Sequence, residues 1–241
     1  MSNKKFLGGK DSNAYIVFYS AVMVIIVAVL LAFTSLSLKE RQNANVLNEK
    51  KDAIVASLGL EKGCYDSVIE AYVVNKAGEK IQTEATPLDK LFGLADSYAA
   101  GEYPVFENKT TGEVVFPVIG KGLWGDIWGY VALGADLNTI KGVIFDHAGE
   151  TPGLGAEIAT PKYQAQFPGL TIYEGDELVG INVVKGGAKG AAHSVDAVTG
   201  GTKTSIGLEN MIKDCLDCYD AFIKNSKAPV AEEVVLTENA E

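Results

Sequence analysis

An uncharged run near the N-terminus is the feature that most constrains what this chain can form. No charged residue occurs between Asp11 and Lys39, and residues 15–36 read YIVFYSAVMVIIVAVLLAFTSL. At ~1.5 Å rise per residue, such a run crosses a hydrocarbon core of roughly 30 Å, and a single helix satisfies its own backbone amides. The alternative is a cleaved signal peptide, whose apolar region is usually about 7–15 residues long. The length of the run favours a transmembrane helix over residues 15–37.

The charges that flank this helix bear on its orientation. Three lysines precede it within residues 1–14, and four basic residues follow it within residues 38–51. Large domains translocate with little regard for flanking charge, so the short basic N-terminus is the better cytoplasmic candidate. We therefore expect residues 1–14 to be cytoplasmic and the bulk of the chain to be extracytoplasmic.

Composition excludes two classes of protein. The net charge of -10 leaves no basic surface for a phosphate backbone, so nucleic acid is not an expected partner. The three cysteines are too few for a disulfide scaffold.

The remainder of the chain has the pattern of an α+β domain. A connecting helix is expected over 38–66, a folded domain over 67–224, and a flexible acidic tail over 225–241. Short alternating or clustered apolar runs predict the strands of a mixed, largely antiparallel sheet with flanking helices. These runs are 68–74, 114–120, 129–135, 140–146, 170–175 and 181–185. Residues 205–223 instead carry one apolar stripe at three- and four-residue spacing, which predicts an amphipathic helix with Thr204 or Ser205 as its N-cap.

The segment before this helix, DAVTGGTKTS (196–205), has the composition of a phosphate-binding loop. Gly200 and Gly201 let the backbone approach a ligand closely, and a helix N-terminus offers unpaired N–H groups to an anion. The alternative is an ordinary turn that caps a helix.

Two further segments suggest the walls of a ligand site. ETPGLG (150–155) can form a tight loop with exposed amides, and residues 120–133 interleave Trp124, Trp128 and Tyr130 with glycines. Aromatic side chains beside glycines can flank a planar ligand, although aromatics in strands are more often part of a core. The alternatives are a connecting turn and core packing.

Cysteines and histidines give no metal-binding pattern. Cys215 and Cys218 form CLDC, but neither a second such pair nor a histidine pair completes a zinc site. We interpret the two thiols as a packed pair, with a redox role as the alternative. His147 and His193 precede the two candidate loops and form no ligand motif.

Three of these segments carry a resemblance to a known family. GKGLWGDIWGYVAL (120–133), IKGVIFDHAGETPGLGAEI (140–158) and DAVTGGTKTS follow a single N-terminal membrane helix in that order. Together they resemble the C subunit of the bacterial sodium-translocating NADH:quinone reductase. ETPGLG and the threonine loop are also similar to the G subunit of Rnf-type electron-transport complexes.

The resemblance implies that residues 67–224 form an FMN-binding domain. It further implies covalent FMN, joined through its phosphate to a threonine in an (S/T)-G-A-T sequence. The matching residues are Thr199, Gly200, Gly201 and Thr202, with Gly201 in the place of the usual alanine, so Thr202 would be the attachment point. The other cofactor-binding residues expected from these segments are Lys203, Thr204, Ser205, Glu150, Thr151, Gly153, Leu154, Gly155, Leu123 and Trp124.

The implied function is electron transfer within a sodium-pumping NADH:quinone oxidoreductase of the bacterial inner membrane. The resemblance also implies other members of the complex as partners, a flavin transferase that attaches FMN, and contact with the lipid bilayer. No catalytic acid, base or metal ligand is expected in this chain. The alternatives are the FMN-bearing G subunit of an Rnf-type complex and a non-redox, membrane-anchored binding or assembly module.

Overall fold

The computed structural model describes residues 13–81, 91–188 and 190–227. The predictions for residues 1–12 and for the tail from residue 228 onward lie outside these ranges. The chain divides into two units, Met1–Glu49 and Lys50–Glu241.

A single long helix, α1 (Asn13–Ser57), contains the predicted membrane span. It is the one helix among the described residues that is long and apolar enough to cross a membrane, and its most apolar stretch is exposed in the described part of the chain. The helix continues without a break through residues 37 and 38, where we expect the span to meet the connecting helix. The domain boundaries therefore stay predictions based on hydropathy.

The second unit is built on a five-stranded sheet in which all neighbouring strands are antiparallel. The strands lie in the sheet in the same order as in the chain, which makes the sheet a meander. They are β1 (Ile69–Val74), β2 (Tyr103–Asn108), β3 (Val114–Lys121), β4 (Asp126–Leu133) and β5 (Ile140–His147). The predicted α+β architecture with a largely antiparallel sheet is confirmed.

Shorter elements surround this sheet. Two two-residue strands, β6 (Tyr173–Glu174) and β7 (Glu177–Leu178), pair antiparallel, whereas β8 (Asn182–Val184) and β9 (Ser194–Asp196) pair parallel. The helices are α2 (Tyr65–Val68), α3 (Leu94–Ala100), a 3₁₀ helix (Gly155–Ala159), α4 (Pro161–Gln164) and α5 (Thr202–Lys227).

Helix α5 packs its apolar stripe on the sheet, chiefly on β3. The aromatic rings of Phe116 on β3 and Tyr219 on α5 stack with centroids 4.3 Å apart. The buried positions recur at three- and four-residue spacing, as the sequence predicts: Leu208, Met211, Ile212, Cys215, Leu216, Tyr219, Phe222 and Ile223. This packing fixes the N-terminal end of α5 beside the end of β3.

The structure favours core packing for the two cysteines of CLDC. Both are free thiols. Cys215 is buried, and its Sγ lies 3.4 Å from the backbone N and O of Ile119. Burial raises the pKa of the Cys215 thiol to about 11, so the reactive thiolate is scarce near neutral pH.

Strand β2 and helix α3 are not predicted by the sequence patterns. Pro104 makes the run YPVFEN a poor strand pattern, because proline cannot donate a ladder hydrogen bond. In the structure, β3 pairs with β2 only at Phe106 and Glu107, so Pro104 lies beyond that ladder. Its carbonyl oxygen instead accepts a 2.8 Å hydrogen bond from the Tyr219 hydroxyl.

Candidate functional site

Three of the predicted segments meet at the N-terminal end of α5, and one carboxylate joins them. Glu150 Oε2 accepts a 2.6 Å hydrogen bond from the Thr204 hydroxyl at the start of α5. Its Oε1 accepts a 2.9 Å hydrogen bond from the backbone N–H of Trp124, in the turn between β3 and β4. The loops 122–125 and 150–155 and the start of α5 therefore form one structural cluster.

The helix itself begins at Thr202, three residues before the predicted Ser205. The first backbone hydrogen bond of the helix runs from Ser205 N to Gly201 O and is 2.8 Å long. The prediction that Thr204 or Ser205 is the N-cap is therefore wrong, because both lie inside the first turn. The N–H groups of residues 202–204 precede that first bond and are oriented for an anion at the helix N-terminus.

The hydroxyl groups of this first turn differ in their environments. Thr204 and Ser205 are 1% and 2% exposed, and their hydroxyls are engaged within the protein, with Glu150 and with the backbone N–H of Val198. Thr202 is only partly buried, and its hydroxyl has no hydrogen-bond partner among the described residues. Of these three hydroxyls, that of Thr202 is the one free to react.

The remaining predicted residues of this loop differ in exposure. Thr199 and Lys203 are exposed, while Gly201 is buried beneath the turn. Gly200 adopts φ +75°, which favours glycine, and a Cβ there would lie 2.6 Å from Leu154 Cδ2. The threonine loop and the ETPGLG loop are thus in direct contact.

The ETPGLG loop contains both buried and exposed residues. Glu150 and Gly155 are buried, whereas Thr151, Gly153 and Leu154 are exposed. Thr151 O accepts backbone hydrogen bonds from Leu154 N at 3.1 Å and Ala156 N at 3.2 Å, which closes the loop. The exposed half of the loop faces solvent beside Gly200.

Exposed apolar side chains surround the start of α5. Leu123 is 52% exposed, Trp124 69%, Leu154 42% and Ile206 49%. Ile206 is not among the predicted site residues. Its sequence signal is an apolar residue on α5 outside the buried stripe that begins at Leu208.

The aromatic segment 120–133 contributes less to this surface than its sequence suggests. Tyr130 is 5% exposed and packs in the core, and Trp128 lies within β4 with intermediate exposure. Of the apolar side chains in this segment, only Leu123 and Trp124, at the tip of the β3–β4 turn, are exposed.

His147 contacts the ETPGLG loop, whereas the described hydrogen bonds of His193 are with Thr171 and Asn182 and not with the threonine loop. His147 Nδ1 accepts a 3.2 Å hydrogen bond from Glu150 N, at the base of the ETPGLG loop. His193 Nδ1 lies 2.5 Å from the Thr171 carbonyl oxygen, between β9 and the segment before β6.

The arrangement fits a phosphorylated planar cofactor. Thr202 offers a hydroxyl, the amides of 202–204 offer donors to phosphate oxygens, and the close approach of Gly200 to Leu154 shapes the loop between them. Apolar side chains from three segments offer an exposed surface for a ring system.

The chain is similar to a family of FMN-binding domains and to subunits of a quinone reductase. Residues 122–217 match the model of the FMN-binding domain family, and this range contains the three segments of the site. The C subunit of the Na(+)-translocating NADH-quinone reductase from Pseudomonas aeruginosa is 30% identical over 91% of this chain and 98% of its own length. The same protein from Pasteurella multocida is 48% identical over 49% of this chain and 46% of its own length.

Solved structures show the same fold. The crystal structure of the C subunit from Parabacteroides distasonis superposes with a TM-score of 0.70 at 35% identity, covering 77% of this chain and 96% of that one. The NqrC structure from Shewanella oneidensis gives a TM-score of 0.65 at 25% identity, covering 77% and 100%. The chain therefore belongs to the NqrC family, the C subunits of Na(+)-translocating NADH-quinone reductases.

Proposed function

We propose that this chain is the FMN-carrying electron-transfer subunit of a Na(+)-translocating NADH-quinone reductase, and that Thr202 holds the FMN through a phosphoester bond. The family membership and the FMN-binding domain support the first part, and they favour a redox subunit over a non-redox binding module. The observation that carries the second part is the free, partly exposed Thr202 hydroxyl at the first residue of α5.

The surroundings of Thr202 suit a phosphate ester. A phosphate on Oγ1 would lie beside the N–H groups of the first helical turn, where the helix dipole favours negative charge. Thr204 and Ser205 hold the turn in place through their inward hydrogen bonds rather than through phosphate contacts. Thr199 and Lys203 remain exposed at the rim, where the ammonium group of Lys203 can offset phosphate charge.

The exposed apolar side chains supply the surface for the ring. Leu123 and Trp124 come from the β3–β4 turn and Leu154 from the ETPGLG loop. Thr151 and Gly153 add the exposed backbone of that loop. When bound, FMN supplies the electron chemistry, and the protein supplies attachment, orientation and electrostatic environment.

Attachment requires a partner enzyme. A threonine hydroxyl is a weak nucleophile at its free pKa, and the residue has no adjacent general base among its described hydrogen bonds. We therefore propose a separate flavin transferase that acts on the exposed loop 199–203. The other partners are the remaining members of the reductase complex.

The apolar run of α1 is the proposed membrane anchor. Its large hydrophobic side chains from Ile16 to Leu36 are exposed, as lipid contact requires. We propose that residues 1–14 face the cytoplasm and that the second unit lies outside it, in the bacterial inner membrane. A reporter that is active only outside the cytoplasm, fused after residue 241, should be active; activity of a cytoplasm-only reporter there would reverse the orientation.

The site of attachment is tested with three variants of the full chain, each produced together with the transferase. Thr202→Val keeps the shape of the side chain but removes Oγ1, so it should abolish flavin fluorescence in a denaturing gel. Thr202→Ser keeps a hydroxyl and should retain a fluorescent band. Thr110→Val alters an exposed threonine in the turn between β2 and β3 and serves as the matched control. A fluorescent Thr202→Val band would refute the assignment.

A further inference from the structure

The buried carboxylate of Glu150 lies beneath the segments that are proposed to hold FMN. Its side chain is bound on one side to Trp124 and on the other to Thr204, two residues after the proposed attachment point. Only 4% of the residue is exposed, so the carboxylate itself does not offer a surface for cofactor contact.

The protein backbone is packed tightly around this carboxylate. A Cβ at Gly122 would lie 2.4 Å from Glu150 Oε1, and a Cβ at Gly155 would lie 2.3 Å from Oε2. A side chain at either position would require the carboxylate to move away from its present contacts. The group is therefore enclosed by the same two loops that present Trp124 and Leu154 at the surface.

The charge of Glu150 has no partner in an ion pair within the described part of the chain, and the groups that donate hydrogen bonds to its side chain are neutral. Burial favours the neutral acid. The hydrogen bonds from the Thr204 hydroxyl and the amides of Trp124 and Leu123 outweigh burial, with a further contribution from His147, and hold the pKa of this carboxyl below its usual range. At neutral pH the site therefore contains a fixed, buried negative charge.

We propose that Glu150 is a positioning and potential-setting residue: it holds the β3–β4 turn against the start of α5, and its buried negative charge would lower the reduction potential of FMN held by these segments. This proposal rests on the proposed function, since it requires FMN at Thr202.

The direction of the effect follows from electrostatics. Reduction transfers an electron from a neighbouring protein of the complex, or from an electrode, to the flavin, and the added electron increases the negative charge of the ring. A nearby buried carboxylate is screened less than a surface charge, so it opposes that increase. Removing the charge should make the flavin easier to reduce.

Glu150→Gln tests this in the flavin-loaded full chain. The amide can donate to the Thr204 hydroxyl and accept from Trp124 N–H, so it can retain both contacts without the charge. We expect the equilibrium constant for one-electron reduction to increase at least tenfold, an upward shift of about 59 mV, in a spectroelectrochemical titration.

Two variants separate charge from geometry. Thr204→Val removes a hydrogen bond but keeps the charge, and it should cause no upward shift. Glu113→Gln changes another buried glutamate that also accepts from a threonine hydroxyl, that of Thr111. Glu113 lies eight residues before Lys121 at the other end of β3, a distance of roughly 27 Å at ~3.4 Å per residue, so Glu113→Gln should leave the potential unchanged.

The outcomes are distinct. An unchanged reduction potential in Glu150→Gln, or an equal upward shift in Thr204→Val, would overturn this proposal. The proposed function would still stand in either case, provided that FMN is covalently attached at Thr202. If the wild-type chain carried no covalent FMN, both the proposed attachment site and the proposed role of Glu150 would be contradicted. If Glu150→Gln does not fold, reduced-minus-oxidised infrared spectra of the wild-type protein give the answer: a perturbed carboxylate band supports the proposal, and its absence contradicts it.

Discussion

At the scale of single residues, the site depends on how three hydroxyl groups within one helical turn are used. The hydroxyls of Thr204 and Ser205 are turned inward and hold the loop, and the hydroxyl of Thr202 is left free. Composition alone does not distinguish the three, because the partner of Thr204 is Glu150, 54 residues earlier in the chain. The difference arises only when the fold brings the ETPGLG loop to the start of α5.

The ionisation of Glu150 leads to a prediction for stability as a function of pH. Because the folded-state pKa is depressed, the charged carboxylate stabilises the fold above the ordinary glutamate pKa of about 4.3, and this contribution is lost as the pH falls through the folded pKa. We expect Glu150→Gln to be less stable than the wild type by about 1 kcal/mol at pH 7, with a difference that shrinks as the pH approaches 3. Chemical denaturation at a series of pH values measures this, and a difference independent of pH would contradict it.

At the scale of elements, the N-terminal end of α5 is the feature that organises the site. Gly207 packs against the end of β3, where an added Cβ would lie 2.2 Å from Lys121 O. The atom it would meet belongs to the backbone, so the contact cannot be relieved by a side-chain rotation. The close approach of helix and turn therefore depends on this glycine.

Gly207→Ala should therefore destabilise the domain, although alanine is about 1 kcal/mol better than glycine within a helix. Overpacking of this kind costs about 1–3 kcal/mol, so we expect a net loss of stability and a reduced yield of flavin-loaded protein. Asn210→Ala, at an exposed position on the same helix, is the control and should be neutral or slightly stabilising. A Gly207→Ala protein as stable as the control would contradict the packing described here.

The elements that the sequence predicts are those with a clear period. The apolar stripe of α5 and the strands β1, β3, β4 and β5 are found where alternation or three- and four-residue spacing indicates them. Strand β2 contains a proline, and its place in the sheet depends on pairing with β1, which no local pattern shows. The start of α5 at Thr202 is equally hard to predict from composition, because glycine at the N-cap carries no side-chain signal.

At the scale of the whole molecule, the chain combines an apolar helix with one α+β domain. The family and the FMN-carrying role expected from the motifs are confirmed by the similar proteins. Specific motifs, rather than periodicity, indicate that family and that role. The role of Glu150 as a buried bridge could not be predicted, since burial at this position depends on three distant segments.

The chain should not complete a catalytic cycle by itself. GKGLWG (120–125) matches GxGxxG in letters, but it joins the antiparallel strands β3 and β4, whereas a dinucleotide fingerprint leads from a strand into a helix. The sequence has no cysteine array for an iron–sulfur cluster, and residues 15–36 contain no charged side chain that could line a sodium path. The purified, flavin-loaded chain should lose its flavin absorbance on addition of dithionite but show negligible NADH:quinone turnover. Robust turnover by the single chain would favour a self-sufficient flavoenzyme instead.

The most direct test of Thr202 as the attachment point is the mass of the peptide that contains it, taken from the full chain after production with the transferase and complete denaturation. We predict an increase equal to FMN less one water, located by fragmentation on Thr202 and not on Thr199, Thr204 or Ser205. An unmodified peptide, or FMN on a different residue, would contradict this assignment.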